Sequence, residues 1–326
     1  MPDSIRRSAH QQMTPGEARV IDPILSEVAI GYTNADRVGR VLFPQVIIPQ
    51  RGGRVIKFDK AAFRLYSARR APGGKTKRVQ YGFTGDPVYL LQDSLEGMVP
   101  YELQEEAMAV PGIDLGAMAV NNVMNSLTLG EEYEQAQLAL DANQYDAQHK
   151  DALTGDAQWT SDSCNIALQM DTYKEAIRAT IGVYPNTLML SALAYAAAKR
   201  NYYVRDQFKY TSAASVTPDM LKGYFDLETI AVGKSVSVAE NLPEDEDPSD
   251  IWGNNAVLAY VPPAGERALG RPAYGYTYTL AGYPWAETPY EDRAEKSWIY
   301  PVTHERRPYL VGISAGFLIQ NPHGTF

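Results

Sequence analysis

Hydrophobic and polar positions at the start of the chain predict an arm followed by a long two-stranded ribbon. Residues 1–45 contain a short helical pattern around 20–32, although Pro23 limits how early that helix begins. Residues 46–60 have the pattern of a strand, and 79–92 resume it after SARRAPGGKTKR, whose glycine, proline and charge are typical of a hairpin tip. A lone pair of strands is marginally stable in water. The ribbon over 46–92 is therefore expected to lie on another surface, such as a neighbouring subunit.

Helical periodicity dominates the middle of the chain. Residues 113–144 predict one long helix, although Gly116 and Gly130 weaken the expectation of an unbroken rod. Its apolar positions recur every four residues, at Leu115, Ala119, Val123 and Leu127. A second helix over 166–181 keeps the same rhythm and is expected to stop at Gly182.

Two shorter helices and a set of strands follow. One helix is expected to start at Ser191 and end near Arg200, and another has Thr217 as its N-cap and Pro218 at its first position. Beyond residue 225 the pattern changes to short strands: DLETIAV, SVSVAEN, NAVLAYV, YGYTYTLA, SWIYPVT and PYLVGISAGFLI. The chain shows no internal repeat. This order of elements predicts an α+β fold in which the C-terminal strands pack beside the long helix.

Composition allows a large folded core and excludes several classes of protein. The chain has 326 residues, of which 45% are hydrophobic and 21% charged, so it is not a disordered chain. The chain contains no run of about 18 apolar residues, so no membrane span is predicted. It also lacks an apolar segment near the N-terminus, so no secretory signal is predicted. The single cysteine, Cys164, excludes an internal disulfide framework and fits a reducing compartment.

Charge is distributed unevenly. The net charge is −9, but residues 51–78 contain ten basic residues and one acid, so this segment carries +9 and the rest of the chain −18. Acidic residues cluster at Glu131, Glu132 and Glu134, and again over 240–250. The overall negative charge argues against a protein that coats nucleic acid uniformly. A basic arm on an acidic body predicts attraction between copies of the chain.

Two patterns suggest nucleophilic chemistry, and both have a better structural explanation. Residues 312–316 match G-x-S-x-G around Ser314, but a nucleophile elbow requires a helix after the turn, and 317–319 continue a strand. No acidic residue lies between Ser314 and His323, the one histidine that follows it. We therefore expect these glycines to permit close backbone packing. Cys164 is expected to be a partly buried side chain at a helix start rather than a nucleophile.

Other candidate sites are equally weak. The four histidines show no metal-binding spacing, no glycine pattern of a nucleotide site occurs, and the acidic run over 244–250 is expected to be a solvated loop rather than a calcium site. We predict no cofactor and no metal. The alternating tyrosines at 274–278 are expected to pack a sheet rather than stack on bases.

Short motifs follow one another in an order that carries a family resemblance. They are DPIL, LFP and KFD at 22–25, 42–44 and 57–59; Trp159, PNTL at 185–188 and YYVRD at 202–206; and YGYT, GYP, WIY and GFLI at 274–277, 282–284, 298–300 and 316–319. Together they resemble the major capsid proteins of tailed bacteriophages, which have the Hong Kong 97 capsid fold. The resemblance covers most of the chain.

The resemblance implies a domain plan. It consists of an N-terminal arm (1–45), the E-loop ribbon with its flanking strands (46–92), a peripheral domain with a long spine helix (93–159), an axial domain (160–270) and return strands of the peripheral domain (271–326). The E-loop of this fold lies over an adjacent subunit. We expect its inter-subunit contacts at Arg64, Arg69, Arg70, Lys75, Lys77 and Arg78, with Glu131, Glu132 and Glu134 as candidate acceptors on the neighbour.

The resemblance also implies a function. The chain is expected to assemble as hexamers and pentamers into an icosahedral head that encloses double-stranded DNA, without enzymatic activity. It would be part of the virion after assembly in the host cytoplasm. Expected partners are other copies of itself, a portal, packaged DNA and a separate scaffolding protein, since about 45 residues precede the ribbon. A decoration protein is left open, and no membrane is involved. No asparagine partner is evident for a crosslink from Lys60, Lys75 or Lys77.

Two other functions stay open from the sequence. An encapsulin-like nanocompartment shell has the same fold and would be distinguished by a neighbouring cargo gene. A nucleic-acid-binding protein with a basic arm would bind DNA tightly as a monomer, in a salt-sensitive way.

Overall fold

The structure, a computed structural model, describes residues 22–32, 34, 37–56, 69–70, 75–76, 78, 85–108, 114–210, 215–241, 243, 247–267 and 271–324. The helices are α1 (Pro23–Gly31), α2 (Gly39–Leu42), α3 (Tyr101–Met108), α4 (Leu115–Leu140), α5 (Ile166–Ile181), α6 (Ala192–Arg200), α7 (Tyr202–Phe208) and α8 (Pro218–Phe225). The strands are β1 (Gln45–Ile48), β2 (Gly52–Ile56), β3 (Gly85–Tyr89), β4 (Leu91–Pro100), β5 (Lys150–Ala152), β6 (Thr187–Ser191), β7 (Thr229–Gly233), β8 (Val236–Ser237), β9 (Ser249–Asp250), β10 (Asn255–Ala259), β11 (Gly275–Leu280), β12 (Trp285–Ala286), β13 (Tyr290–Asp292), β14 (Ser297–Leu310) and β15 (Gly316–Gln320).

These elements divide into two units. The first comprises residues 1–33, 92–127 and 282–304, and the second comprises 34–91, 128–281 and 305–326. Helix α4 and strand β14 each contribute their N-terminal part to the first unit and their C-terminal part to the second. The units therefore differ from the linear blocks expected from the sequence, because one long helix and one long strand belong to both. Which parts are peripheral and which axial stays a prediction.

The first unit is built around the N-terminal half of α4. Asp22 caps α1 by accepting hydrogen bonds from the backbone N–H groups of Ile24 and Leu25 at 2.9 and 3.0 Å. A buried cluster joins α1, β4, α4, β12 and β14: Leu25, Ala29, Val99, Ala119, Val120, Val123, Met124, Leu127, Ala286, Tyr300 and Val302. Strands β12 and β13 pair antiparallel with the first half of β14. Burial of this apolar surface is the main stabilising contribution in the unit.

The second unit contains a five-stranded sheet with the order β5-β15-β10-β6-β7. Strand β10 is antiparallel to both of its neighbours, whereas β6 pairs parallel with β7 and β15 pairs parallel with β5. A large buried cluster packs α5, α6 and α8 against this sheet, with Trp159, Met170, Leu188 and Leu258 almost fully shielded from solvent. The C-terminal strand β15 is therefore part of the same sheet as β6 and β7.

Helix boundaries in the second unit follow the predicted capping residues. The side chain of Asn165 caps α5, and Gly182 ends it with a φ of 75°. Ser191 caps α6 and Thr217 caps α8, whose first residue is Pro218. The predictions for Gly182, Ser191, Thr217 and Pro218 are confirmed, whereas the cap at Asn165 was not predicted. Their success reflects the local nature of capping, in which a side chain bonds backbone groups two or three residues away.

The predicted long helix is confirmed as α4, which is unbroken from Leu115 to Leu140 although it contains Gly116 and Gly130. A Cβ atom at Gly116 would lie 2.7 Å from the Tyr300 ring, so glycine permits this close approach. Other features differ from the sequence prediction. The segments SWIYPVT and PYLVG belong to the single strand β14 for most of their length. Helices α2, α3 and α7 and strands β5, β6, β9, β12 and β13 were not predicted. The C-terminal strands do pack beside the long helix, as Tyr300 shows in the first unit.

Candidate functional site

The base of the predicted ribbon is an antiparallel pair of strands. Strands β2 and β3 pair from Gly52 opposite Tyr89 to Ile56 opposite Gly85. One side chain from each strand, Val55 and Val88, is buried in a cluster that also contains Ala273, Tyr276, Tyr278 and Val311. The ribbon base is thus attached to its own subunit by apolar packing on one face.

Polar contacts reinforce this attachment. The Arg51 guanidinium donates two hydrogen bonds to the Glu305 carboxylate, at 2.7 and 2.8 Å. The Tyr309 hydroxyl donates to Asp86 at 2.8 Å. Burial, together with that bond and the charge of Asp86, raises the pKa of Tyr309 to about 12. A bidentate arginine pair fixes orientation as well as distance, so this contact joins the start of β2 to β14.

The basic part of the ribbon lies beyond these anchors. Arg69, Arg70, Lys75 and Arg78 are exposed. Arg64 and Lys77, also predicted as contact residues, lie outside the described residues. Contact between these side chains and a neighbouring subunit stays a prediction.

The predicted acidic acceptors have a different environment from the one expected. Glu131 on α4 is buried and accepts a bidentate pair of hydrogen bonds from Arg40, at 2.9 and 2.8 Å. Arg306 on β14 is also buried; it donates to Glu134 at 2.9 Å and lies 3.8 Å from Glu131. Gln135, one turn further along the helix, donates to Glu131 at 3.1 Å. The hydrogen bond with Glu131 raises the pKa of Arg40.

Glu132 is enclosed on another side of the helix. Its two oxygens accept hydrogen bonds from the backbone N–H groups of Val38 and Gly39, at 3.1 and 2.7 Å, and from the indole N–H of Trp252 at 2.6 Å. Burial raises the pKa of this carboxyl, while the hydrogen bonds to it act in the opposite direction. This carboxylate connects α2, α4 and the segment before β10. We call Glu131, Glu132, Gln135 and Arg306 the α4 network.

Because of this network, only one of the three predicted glutamates is available for contact with another subunit. Glu131 and Glu132 are 2% and 1% exposed and already bonded within their own subunit, so neither offers a free carboxylate. The Glu134 side chain is 44% exposed and keeps one bond to Arg306. The sequence contained a signal for this: continuing the fourfold rhythm of α4 beyond Leu127 leads to Glu131 and Gln135, which places both on the buried face. Arg40, Arg306 and Trp252 were missed because they are distant in sequence.

The residues considered for catalysis have structural roles. Ile313–Ala315 form a short 3₁₀ helix that leads into β15, and a Cβ atom at Gly316 would lie 2.3 Å from the Tyr274 ring. The arrangement of strand, turn and helix that a nucleophile elbow requires is not present here. The expectation that these glycines permit close packing is confirmed. Burial raises the pKa of the Cys164 thiol to about 11, which keeps it protonated.

Metal sites and membrane-spanning helices are absent from the part of the chain that the structure describes. There, no group of three or more histidine, cysteine, aspartate or glutamate side chains could hold a metal ion. No helix among the same residues is long and apolar enough to cross a membrane. The tyrosine stripe is buried, with Tyr274, Tyr276 and Tyr278 all less than one-tenth exposed, so its predicted role in packing a sheet is confirmed.

Comparison with known proteins finds relatives over nearly the whole chain. The major capsid protein of Burkholderia phage BcepMu is 36% identical over 311 residues, which cover 94% of this chain and 98% of that protein. The crystal structure of a phage-related protein from Bordetella bronchiseptica is 44% identical, with a TM-score of 0.79 over 94% of this chain and 99% of the other. No family model matches the chain.

More distant structures share the fold. The mature capsid of bacteriophage PhiM1 superposes with a TM-score of 0.52 at 10% identity, covering 89% of this chain and 88% of that one. An encapsulin from Synechococcus elongatus also has a TM-score of 0.52, at 10% identity and with 88% of each chain covered. The encapsulin hypothesis thus rests on fold alone, whereas the phage hypothesis also rests on sequence identity over the whole length.

Proposed function

The chain belongs to the family of phage major capsid proteins and builds the shell of a virion, and from this premise we propose that it assembles as hexamers and pentamers into an icosahedral head around double-stranded DNA. The observation that supports the proposal is a group of exposed basic side chains in the segment between β2 and β3, two strands that pack on their own subunit. Arg51 binds Glu305 where the segment begins, and the exposed Arg69, Arg70, Lys75 and Arg78 have the charge to bind an acidic neighbour.

The acceptor of the ribbon is an acidic surface of an adjacent subunit. Of the three glutamates considered on α4, Glu134 is the candidate, since its carboxylate is partly exposed. Single exposed ion pairs contribute roughly 0–1 kcal/mol each. Their effect on assembly therefore comes from repetition, because every subunit of a closed shell would make the same contact.

Further partners belong to the same proposal. A separate scaffolding protein, a portal and packaged DNA would act with this chain during head assembly in the host cytoplasm, and a decoration protein on the outer surface stays open. The chain has a structural role and no catalytic one, in keeping with the environments of Ser314 and Cys164.

Charge reversal on the ribbon tests the proposal. We expect glutamate at Arg69, Arg70, Lys75 and Lys77 together to block shell formation while circular dichroism shows a folded subunit. The matched control exchanges arginine and lysine at the same four positions, which keeps the charge, and should form shells. Normal shells from the reversed variant, seen by negative-stain microscopy, would show that the ribbon charge is not needed. Failure of the wild-type chain, expressed with its neighbouring head genes, to form any closed shell would refute the head function.

A further inference from the structure

A concave pocket in the second unit has a chemistry that the shell function does not yet explain. It has a volume of about 590 Å³ and lies between the end of α6, helix α7 and the start of α8. Four cations line it, Lys199, Arg200, Arg205 and Lys209. We call it the cationic pocket.

The charges of the pocket are only partly compensated. Lys209 pairs with Asp206 at 2.7 Å. Among the residues that the structure describes, no carboxylate forms an ion pair with Lys199, Arg200 or Arg205, and all three are exposed. With Asp162 as the other lining acid, the pocket carries four positive and two negative charges. Such a site favours an anionic occupant.

Apolar side chains give the pocket a second property. Phe208, Val216 and Met220 contribute to its lining alongside the cations. Phosphate groups gain little from these apolar walls. A peptide that combines carboxylates with an apolar residue matches both properties of the pocket.

The chain itself contains a segment of that chemistry. Residues 240–250, ENLPEDEDPSD, carry six acids and no base, with one leucine and two prolines among them. We call this the acidic segment. Glu240, Asp247 and Asp250 are exposed, and within the described residues no cation forms an ion pair with them. Glu244, Asp245 and Glu246 lie outside the described residues and enter the argument by their sequence alone.

We propose that the acidic segment of one subunit docks in the cationic pocket of the next. The pocket belongs to α6, α7 and α8, whereas the acidic segment connects β8 and β9 after the edge strand β7, so the two are carried by different elements. A contact between two different surfaces of identical chains is heterologous, and repeated contacts of this kind close into a ring when the rotation permits. The inference rests on the ring assembly proposed above and names a contact that would join its members.

A charge exchange tests this contact. The pocket variant has Lys199→Glu, Arg200→Glu and Arg205→Glu, and the segment variant has Glu244→Lys, Asp245→Lys and Asp247→Lys. Each alone should lower the yield of closed shells at least about tenfold, because like charges facing each other disfavour association. Combining both sets should restore the yield to within about threefold of the wild type, since the attraction is re-established with reversed sign. Exchanging lysine and arginine at the three pocket positions is the control and should leave the yield unchanged.

Engineered cysteines locate the contact directly. A chain with Arg200→Cys and Asp247→Cys should give a ladder of disulfide-linked oligomers under mild oxidation, while each single variant gives no ladder because the native Cys164 is buried. Crosslinking only within one chain would overturn the proposal. Normal shells from the pocket variant would also overturn it. If the pocket variant formed shells that only lacked DNA, the pocket would instead bind nucleic acid. In those cases wild-type shells still form, so the proposed head function stands independently.

Discussion

Substituting Gly39 by alanine should destabilise the second unit strongly, because the α4 network leaves no room for a methyl group. A Cβ atom at this position would lie 2.0 Å from Oε1 of Gln135 and 2.8 Å from Oε2 of Glu132. Gln135 cannot swing away easily, since it is fully buried and its amide donates to Glu131 and to Thr277, at 3.1 and 2.9 Å. The substitution therefore has to displace bonded groups in a closely packed interior.

The magnitude follows from two overlapping contributions. Overpacking a buried site costs about 1–3 kcal/mol, and weakening the 2.7 Å bond from the Gly39 N–H to the Glu132 carboxylate costs up to about 1.5–3 kcal/mol. Because the same movement causes both, we expect a loss of about 2–4 kcal/mol in the free energy of unfolding. Urea unfolding of dissociated subunits, followed by fluorescence and circular dichroism, measures this value.

The control is another glycine within a helix. Gly223 in α8 has open space where a Cβ atom would lie. Alanine there should stabilise the chain by up to about 0.5–1 kcal/mol, because glycine is unfavourable inside helices. Removing the obstructing side chain by Gln135→Ala should lower the cost of Gly39→Ala by about 1–2 kcal/mol in a double-mutant cycle. If Gly39→Ala and Gly223→Ala have the same small effect, the steric argument is refuted.

Two further predictions concern the residues first considered for catalysis. Gly316→Ala should cost about 2–4 kcal/mol, since its methyl group would meet the buried ring of Tyr274, while Ser314→Ala should change the free energy of unfolding by less than about 0.5 kcal/mol; equal values from urea unfolding would contradict this explanation. Cys164, with a pKa of about 11, should be ionised in about one molecule in a thousand at pH 8, against about a quarter for an ordinary thiol. Its alkylation, measured by mass spectrometry, should be slow in the native chain, rise with pH, and become fast in urea; rapid native labelling at pH 8 would refute the burial argument.

The helix ends of the second unit show what local sequence can predict. Asn165, Ser191 and Thr217 each accept a bond from a backbone N–H group three residues later, so the information for the cap lies within one turn. The G-x-S-x-G motif was also interpreted correctly from its neighbours, because the residues after Gly316 continue a strand. The order of motifs was sufficient to predict the capsid family and the α+β fold.

The α4 network shows what local sequence cannot predict, which is the distant partner of a buried charge. A helical repeat placed Glu131 on the buried face of α4, but a buried carboxylate needs a partner, and its partners Arg40 and Arg306 lie far away along the chain. The prediction that the three glutamates form a surface cluster considered their charges and did not consider whether each side chain is buried. Glu132 could not be matched with Trp252 for the same reason.

The sequence by itself determined the positions of most helices and strands, the basic character of the ribbon and the family to which the chain belongs. These properties depend on periodicity, capping and composition, which act over a few residues. Only the tertiary structure decided that β15 joins the sheet of β6 and β7, that Arg51 binds Glu305, and that Glu131 and Glu132 are paired with Arg40 and Trp252. Strand partners and ion pairs of this kind are chosen by the packing of the whole unit, because a buried charge is stable only where a distant residue compensates it.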